Sequence, residues 1–380
     1  MASSNTRTIP WVIEPQTKVK HSLLKQYMAV WMKILWSQQA SMRKPQHLIY
    51  VDGFSGPGEY WETDAREQLV PGSPIIVGNT ANDLISENPA RRIDIVAIDA
   101  HAPTVDYLTP RLNGINTHRQ NWTVIHGDFS TTAEEILRRL DAGTWSSNPT
   151  FFFIDPFGYS GFPLNLLSRI LRHPMTELFI NFMAYDIVRF MGQPNFKEHM
   201  LELFGTEKYS EYTKCPTPED RVSFIATLYY SQLRLAGAKH VIPFRINTPG
   251  QGDRAKYFLF HASKHIKALK LMKDTMAKAS DREFSFEAIG LDPNEQLMLF
   301  AVTPENQIKN AIYSKYSAEP QRAVPYLAIE DWAYDTTPGI AVQIKEALMG
   351  LERERKIKIN RGPRQRLNTV TAPATIEFLR

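Results

Sequence analysis

Four hydrophobic runs in the first half of the chain each end on or next to an aspartate: "HLIYVD" (47–52), "RIDIVAID" (92–99), "WTVIHGD" (122–128) and "TFFFIDPF" (150–157). Unbroken runs of β-branched and aromatic residues suit strands buried on both faces. When such strands alternate with helical segments, they specify a parallel, doubly wound α/β sheet. The spacing predicts the intervening helices over "SPIIVGNTANDLIS" (73–86), "APTVDYLTPRL" (102–112), "STTAEEILRRLDA" (130–142) and "PLNLLSRILRH" (163–173). In the first of these Ser73 is expected as N-cap with Pro74 at the first helical position; in the third, Thr131 and Glu134 have capping-box spacing. "ELFINFM" (177–183) is expected as a fifth strand.

Beyond it the pattern changes. Residues 184–237 read as helices and are expected as an insertion beside the sheet. "HVIPFRINT" (240–248) and "KYFLFHAS" (256–263) then form a hairpin, followed by the basic helix "KHIKALKLMKDTMAKA" (264–279). A parallel sheet finished by an antiparallel hairpin is the order of the Rossmann-like class I methyltransferases. Residues 1–46 are expected as a leader and one amphipathic helix, with Leu24, Tyr27, Met28, Trp31, Ile34 and Leu35 as its core stripe. Lys20 and His21 open that helix, where they either face a site or are solvated. Residues 47–305 form the sheet domain, and 306–380 a winged-helix-like domain: two helices, then "KIKIN", a tight turn and "ATIEF".

Three hundred and eighty residues suffice for one large domain and a small one, and 43% hydrophobic with 22% charged residues argues against disorder. The single cysteine, Cys215, excludes a disulfide framework and a cysteine-based metal cluster. No His/Asp/Glu run has metal-site spacing, and His101 and His126 read as polar neighbours of the site. The opening "MASSNTRTIPWVIEP" lacks a basic region before an apolar core, and no apolar run is long enough to span a bilayer, so a soluble cytoplasmic protein is expected.

In an open parallel sheet the ligand lies beyond the carboxyl ends of the strands. Candidate cofactor-binding residues are therefore Asp52, Gly53, Phe54, Ser55, Gly56, Pro57 and Gly58 after the first strand, Asp99 after the second, and Asp128 and Phe129 after the third. For S-adenosylmethionine, the glycines let backbone touch the cofactor, Asp52 faces its cationic aminoacyl end, Asp99 takes the ribose hydroxyls and Asp128 the adenine amino group. A nicotinamide dehydrogenase fits less well. The glycine order is G-x-x-G-x-G, the next helix is delayed by "EYWETDAREQLVPG", and Asp99 lies 47 residues past Asp52 instead of roughly 20. No P-loop pattern occurs. Asp155, Pro156 and Phe157 are the candidate catalytic residues: polar oxygens would accept the protons of a target amine while the ring stacks on it, which is catalysis by positioning. A strand-end turn with a buried phenylalanine is the plainer reading of the same residues. Cytosine C5 transfer needs a thiolate beside the cofactor, and Cys215 lies in the insertion.

Several segments together resemble the three-Cys-motif partner (TcmP) family: "KHSLLKQYMAVW", "YVDGFSGPGEY", "GSPIIV", "FFFIDPFGYSGFP", "YFLFHASKHIKALKLMKD" and "GIAVQIKEALMGLERERKIKI". The resemblance runs from about Lys18 to the tail. It implies a class I methyltransferase-like fold and, as a partner, a three-cysteine-motif protein similar to radical-SAM iron–sulfur proteins. The spacer 59–72 departs from the minimal methyltransferase pattern, which adds Ser73, at a helix start, to the cofactor candidates and leaves Glu59 without a role.

From Arg353 to Arg366 the chain carries seven basic residues, Arg353, Arg355, Lys356, Lys358, Arg361, Arg364 and Arg366, against one acid, Glu354. On a winged helix these fall where DNA or RNA phosphates would sit, although a charge run is also a common solvated face. The function expected is methyl transfer from S-adenosylmethionine to an exocyclic amine of a nucleic-acid base. The alternative is a non-catalytic methyltransferase-like module that recruits the three-cysteine partner to nucleic acid.

Overall fold

The computed structural model describes residues 8–115, 120–143, 145, 147–156, 158, 160–247, 255–279, 304–318, 323–363 and 365–379. A long helix, α1 (Pro15–Ser41), precedes the central strand β1 (His47–Asp52). Pro15 opens α1, where its missing N–H costs nothing. Leu24, Tyr27, Met28 and Trp31 of the predicted stripe are buried, and Leu23, Met32 and Trp36 join them. Ile34 is the exception: at 47% exposed it faces solvent, although it shares a helix face with buried Tyr27 one heptad earlier.

After β1 the predicted spacer forms a small hairpin, β2 (Glu59–Trp61) with β3 (Leu69–Pro71). There follow α2 (Ser73–Glu87), β4 (Arg92–Asp99), α3 (Ala102–Ile115), β5 (Gln120–His126), α4 (Phe129–Asp141), β6 (Thr150–Ile154), α5 (Leu164–Arg172) and β7 (Thr176–Phe182). Two helix starts differ from expectation. Gly72, not Ser73, caps α2, and the Ser73 hydroxyl turns to Asp52 instead. Helix α4 begins at Phe129, so Thr131 lies inside it, no capping box forms there, and Glu134 pairs with Arg169.

Residues 184–237 contain α6 (Ala184–Phe190), α7 (Lys197–Phe204) and α8 (Pro218–Leu235). The chain re-enters the sheet through β8 (His240–Asn247) and β9 (Ala255–Ser263), then leaves by α9 (Ile266–Ala279). The seven strands run in the order β5-β4-β1-β6-β7-β9-β8. Pairings from β5 to β7 are parallel; β9 is antiparallel to both β7 and β8. Pro243 sits in β8, an edge strand, where a missing donor is tolerated. This is a mixed α/β sheet of the Rossmann-like methyltransferase order. The order in which strands are added reverses between β1 and β6, so the crevice lies at the ends of those two parallel strands, beside Asp52 and Asp155.

A large hydrophobic core covers each face, and a smaller one joins α2, α3 and β4 through Ile75, Ala97, Leu108 and Leu112. Helices α4 to α8 pack on one side, and α1, α2 and α9 on the other. The second core continues without interruption into the C-terminal elements α10 (Pro304–Ser317), β10 (Val324–Pro325), α11 (Tyr326–Thr336), α12 (Ala341–Arg353), β11 (Ile357–Asn360) and β12 (Thr375–Phe378). Their strands form a separate sheet, β10-β12-β11. Buried Lys273 of α9 donates to the carbonyls of Tyr334 (2.9 Å) and Thr337 (2.7 Å) at the end of α11. A cation at the negative end of a helix is favourable, yet burial pulls this ammonium down to about 7. Helix α1 is tied to the sheet by Glu177, which accepts from Tyr27 Oη (2.5 Å) and Trp31 Nε1 (2.9 Å) and lies 3.0 Å from His261 Nε2.

Candidate active site

The loop 53–58 crosses the end of β1 and is fixed from beneath. Gly53 N–H donates to Phe153 O (2.9 Å), Phe54 N–H to Asp52 Oδ1 (3.3 Å), Ser55 N–H to Ile98 O (2.8 Å) and Gly56 N–H to Asp99 Oδ2 (3.0 Å). The Gly58 carbonyl accepts Gly72 N–H at 2.5 Å, which ties the loop to the start of α2. Gly56 and Gly58 have φ of +60° and +75°, a region that favours glycine. At Gly53 a Cβ would come within 2.9 Å of the Phe129 ring.

These bonds have a chemical consequence. A loop that cradles phosphate aims its N–H groups at the ligand. Here the N–H groups of residues 53 to 56 are all spent on the protein. What stands beside the loop for a ligand is the partly exposed Asp99 carboxylate, the exposed Asp128 and the unpartnered Ser55 hydroxyl. That combination suits a cation, a diol or an amine.

The predicted aspartates take different places. Asp52 has no exposed surface; it sits under the loop, accepting from Tyr50 Oη (3.0 Å), the Phe54 N–H and the Ser73 hydroxyl. Burial pushes its carboxyl up to about 7, against those donors. As a loop support it does not present its charge to the crevice. Asp99 is partly exposed and receives N–H bonds from Gly56 and from His101 (2.9 Å), while burial raises its pKa. Asp128 is exposed at the start of α4 and makes no side-chain capping bond, although Phe129 beside it is buried against Phe54. Pro57 and Pro156 are buried. Phe157, the third predicted catalytic residue, lies outside the described residues.

Asp155 is the centre of a cluster assembled from four parts of the chain. Both its oxygens accept from Lys20 Nζ at 2.6 Å, and Oδ1 also accepts from Asn181 Nδ2 at 2.6 Å. The ion pair is nearly sealed, with side chains 8% and 15% exposed. Lys20 comes from α1, Asn181 from β7, and the Lys20 ammonium lies 5.7 Å from the Tyr257 ring of β9. His21 follows Lys20 in the wall, 5.6 Å from the Tyr60 ring. Burial, with Lys20 adding to it, holds His21 down at about 4, so its imidazole is neutral; Asp155 opposes only in part. Tyr60 is pushed up by burial and by the nearby charges of Asp155, Asp52 and Asp99, so three of the four predicted aspartates act on one hydroxyl.

Three buried side chains around this cluster keep a polar atom without a partner: His21 Nδ1, Ser55 Oγ and Asn181 Oδ1. Such atoms are costly in an interior, and those of His21 and Asn181, both beside Asp155, mark a place where a polar ligand completes the bonding. Lys20 and His21 thus face the site. Asn181, Tyr60 and Tyr257 were not anticipated. Asn181 had a signal, a lone amide within the apolar run "LFINFM"; the tyrosines had none. Glu59, at the spacer hairpin, accepts from Arg111 Nε at 2.7 Å.

The basic tail is partly self-neutralised. Arg361 makes a bidentate pair with Glu352 (2.8 and 2.6 Å), and Lys356 pairs with Glu354 at 2.9 Å. Arg353, Arg355, Lys358 and Arg366 are exposed, and Arg364 lies outside the described residues. Among the described residues no cluster of His, Cys, Asp and Glu could hold a metal ion, and no helix is long and apolar enough to cross a membrane.

No family model matches the chain, and no curated protein matches it. Among solved structures, it is similar to protein LPL1258 from Legionella pneumophila, at 12% identity over 70% of this chain and 95% of that one, with a TM-score of 0.37. An rRNA methylase from Streptococcus thermophilus matches at 11% identity over 66% and 98%, with a TM-score of 0.29. Human methyltransferase-like protein 13 in complex with SAH matches at 12% over 74% and 97%, with a TM-score of 0.31. Scores at this level carry no functional argument, and the site has to be argued from its own residues.

Proposed function

We propose that this chain binds S-adenosylmethionine and transfers its methyl group to an exocyclic amine of a nucleic-acid base. The observation that carries the reading is the 53–58 loop, whose N–H groups at residues 53 to 56 are bonded to the protein, at the strand ends that also carry the partly exposed Asp99 and the exposed Asp128. A phosphate finds the N–H groups of residues 53 to 56 already bonded, whereas an ammonium, a ribose diol or an adenine amine finds the Asp99 and Asp128 carboxylates as acceptors. The unpartnered Ser55 Oγ, nine-tenths buried in the same loop, fits a ligand rich in hydroxyl and amino groups. Bound there, S-adenosylmethionine supplies an electrophilic methyl group. The protein's own part is to hold: Asp99 for the ribose hydroxyls and Asp128 for the adenine amine.

The C-terminal helices α10, α11 and α12 with the sheet β10-β12-β11 follow in the order that a winged helix would need, and Arg353, Arg355, Lys358 and Arg366 are exposed, where phosphates would meet them. This supports a nucleic-acid substrate. The resemblance to the TcmP family carries a second reading, a scaffold without catalysis that brings a three-cysteine-motif partner to nucleic acid. What favours it is Asp155, whose two oxygens already serve Lys20.

Calorimetric titration of the purified chain with S-adenosylmethionine tests the first reading. Saturable binding is expected, and Asp99→Ala should weaken it about tenfold or more, through lost ligand bonds and a released Gly56. A wild-type protein that takes up no heat refutes it.

A further inference from the structure

We propose that Asn181 Oδ1, not Asp155, is the hydrogen-bond acceptor that orients the amine to be methylated, and that the Lys20–Asp155 pair is the clamp that sets the direction of the Asn181 amide. The assignment rests on the methyltransferase reading above and names the acceptor subsite within it.

The geometry is specific about which way the amide points. Both oxygens of Asp155 accept from Lys20 Nζ at 2.6 Å. A carboxylate only accepts, so the Asn181 atom 2.6 Å from it has to be the NH2 group. The same nitrogen has a second, weaker acceptor in Met183 Sδ at 3.6 Å. Both N–H groups are thereby placed, and Oδ1 is turned away from them. The side chain is 2% exposed and that oxygen has no partner. A buried amide oxygen left unbonded next to a fully bonded NH2 is what remains when a donor from outside is missing.

Position supports the assignment. Asn181 lies near the carboxyl end of β7, the strand paired with β6, so its amide stands beside Asp155 at the crevice. Asp155 itself is a poor acceptor for an amine, since an incoming N–H competes with an ammonium at both oxygens. Lys20 also cancels its charge, so the subsite offers a neutral carbonyl oxygen. That favours an uncharged aromatic amine over an alkylammonium, which would look for an uncompensated carboxylate. Lys20 and Asp155 are positioning residues in this scheme: they act through the amide.

Two cofactor analogues read the subsite without any methyl acceptor. S-adenosylhomocysteine has nothing where the transferred methyl sits; sinefungin carries an amine there. Their affinities are measured by calorimetry on the full-length wild type, Asn181→Ala and Asn181→Asp. The expected result is that Asn181→Ala leaves S-adenosylhomocysteine affinity unchanged and lowers the preference for sinefungin about tenfold, the loss of one hydrogen bond to a charged donor. Asn181→Asp keeps the shape; facing Asp155 at 2.6 Å it holds a shared proton on that side and leaves a carbonyl oxygen in the same place, so the preference for sinefungin should be kept. A sinefungin preference unchanged in Asn181→Ala, with S-adenosylhomocysteine still bound, overturns the assignment. If Asn181→Ala binds neither analogue, Asn181→Asp decides on the same ratio, a lost preference there overturning it. Wild-type protein that binds neither refutes the methyltransferase reading, and the assignment falls with it.

Discussion

The Lys20–Asp155 pair joins the N-terminal helix to the crevice, and the structure says how much it is worth. Its side chains are 8% and 15% exposed, so removing one charge strands the other in a place water barely reaches. Breaking such a pair on one side costs about 3–5 kcal/mol when burial is complete. Residual exposure puts Lys20→Met near the lower end, about 3 kcal/mol, because Asp155 keeps only the Asn181 donor. Asp155→Asn should cost about 2 kcal/mol, since the new amide still offers a carbonyl to the ammonium. With both charges gone nothing is stranded. Lys20→Met/Asp155→Asn should therefore lose about 2 kcal/mol, against about 5 for the two added, a coupling of about 3 kcal/mol. The assay is urea unfolding of the wild type, both single variants and the double variant, followed by tryptophan fluorescence and by circular dichroism. Single losses that add to the double loss within about 0.5 kcal/mol would refute the reasoning, for then the two charges do not act as one unit.

Two further outcomes follow from the same chemistry. His21 has its pKa depressed to about 4 by burial and by Lys20, against an ordinary 6.5, so the unfolded chain binds more protons between those values. Its contribution is present above pH 6.5 and lost as pH falls toward 4, about 3 kcal/mol in all; unfolding curves of wild type and His21→Gln between pH 4 and 7 should converge at the acid end, and parallel curves would contradict the burial argument. For the C-terminal elements, the salt dependence of DNA and RNA binding measures phosphate contacts: Lys358→Ala and Arg366→Ala should each reduce the log–log slope by about 0.7–0.9, whereas Arg361→Ala, whose guanidinium is committed to Glu352, should leave it unchanged. A slope indifferent to Lys358 and Arg366 removes nucleic acid from that surface.

By itself the sequence determined the sheet. The cores of the runs "HLIYVD" and "TFFFI", "LIYV" and "FFFI", are apolar at every position and, alternating with helical segments, suit strands covered on both faces, and the aspartates that follow them mark where the ligand side lies. The glycine positions of the loop were legible for the same local reason, since positive φ at Gly56 and Gly58 is written in the residue type. The tertiary structure decided what those residues do. Asp52 and Asp155 look alike in the sequence, each ending a strand, yet one is sealed under the loop and the other neutralised by Lys20, 135 positions away. No periodicity reports such a partner, because charge compensation depends on which distant elements the fold brings within hydrogen-bond reach. The direction of the Asn181 amide depends on that same contact. The chain alone therefore specified the frame and the end of it that carries the site; the choice of which polar atoms remain free to act came from long-range packing.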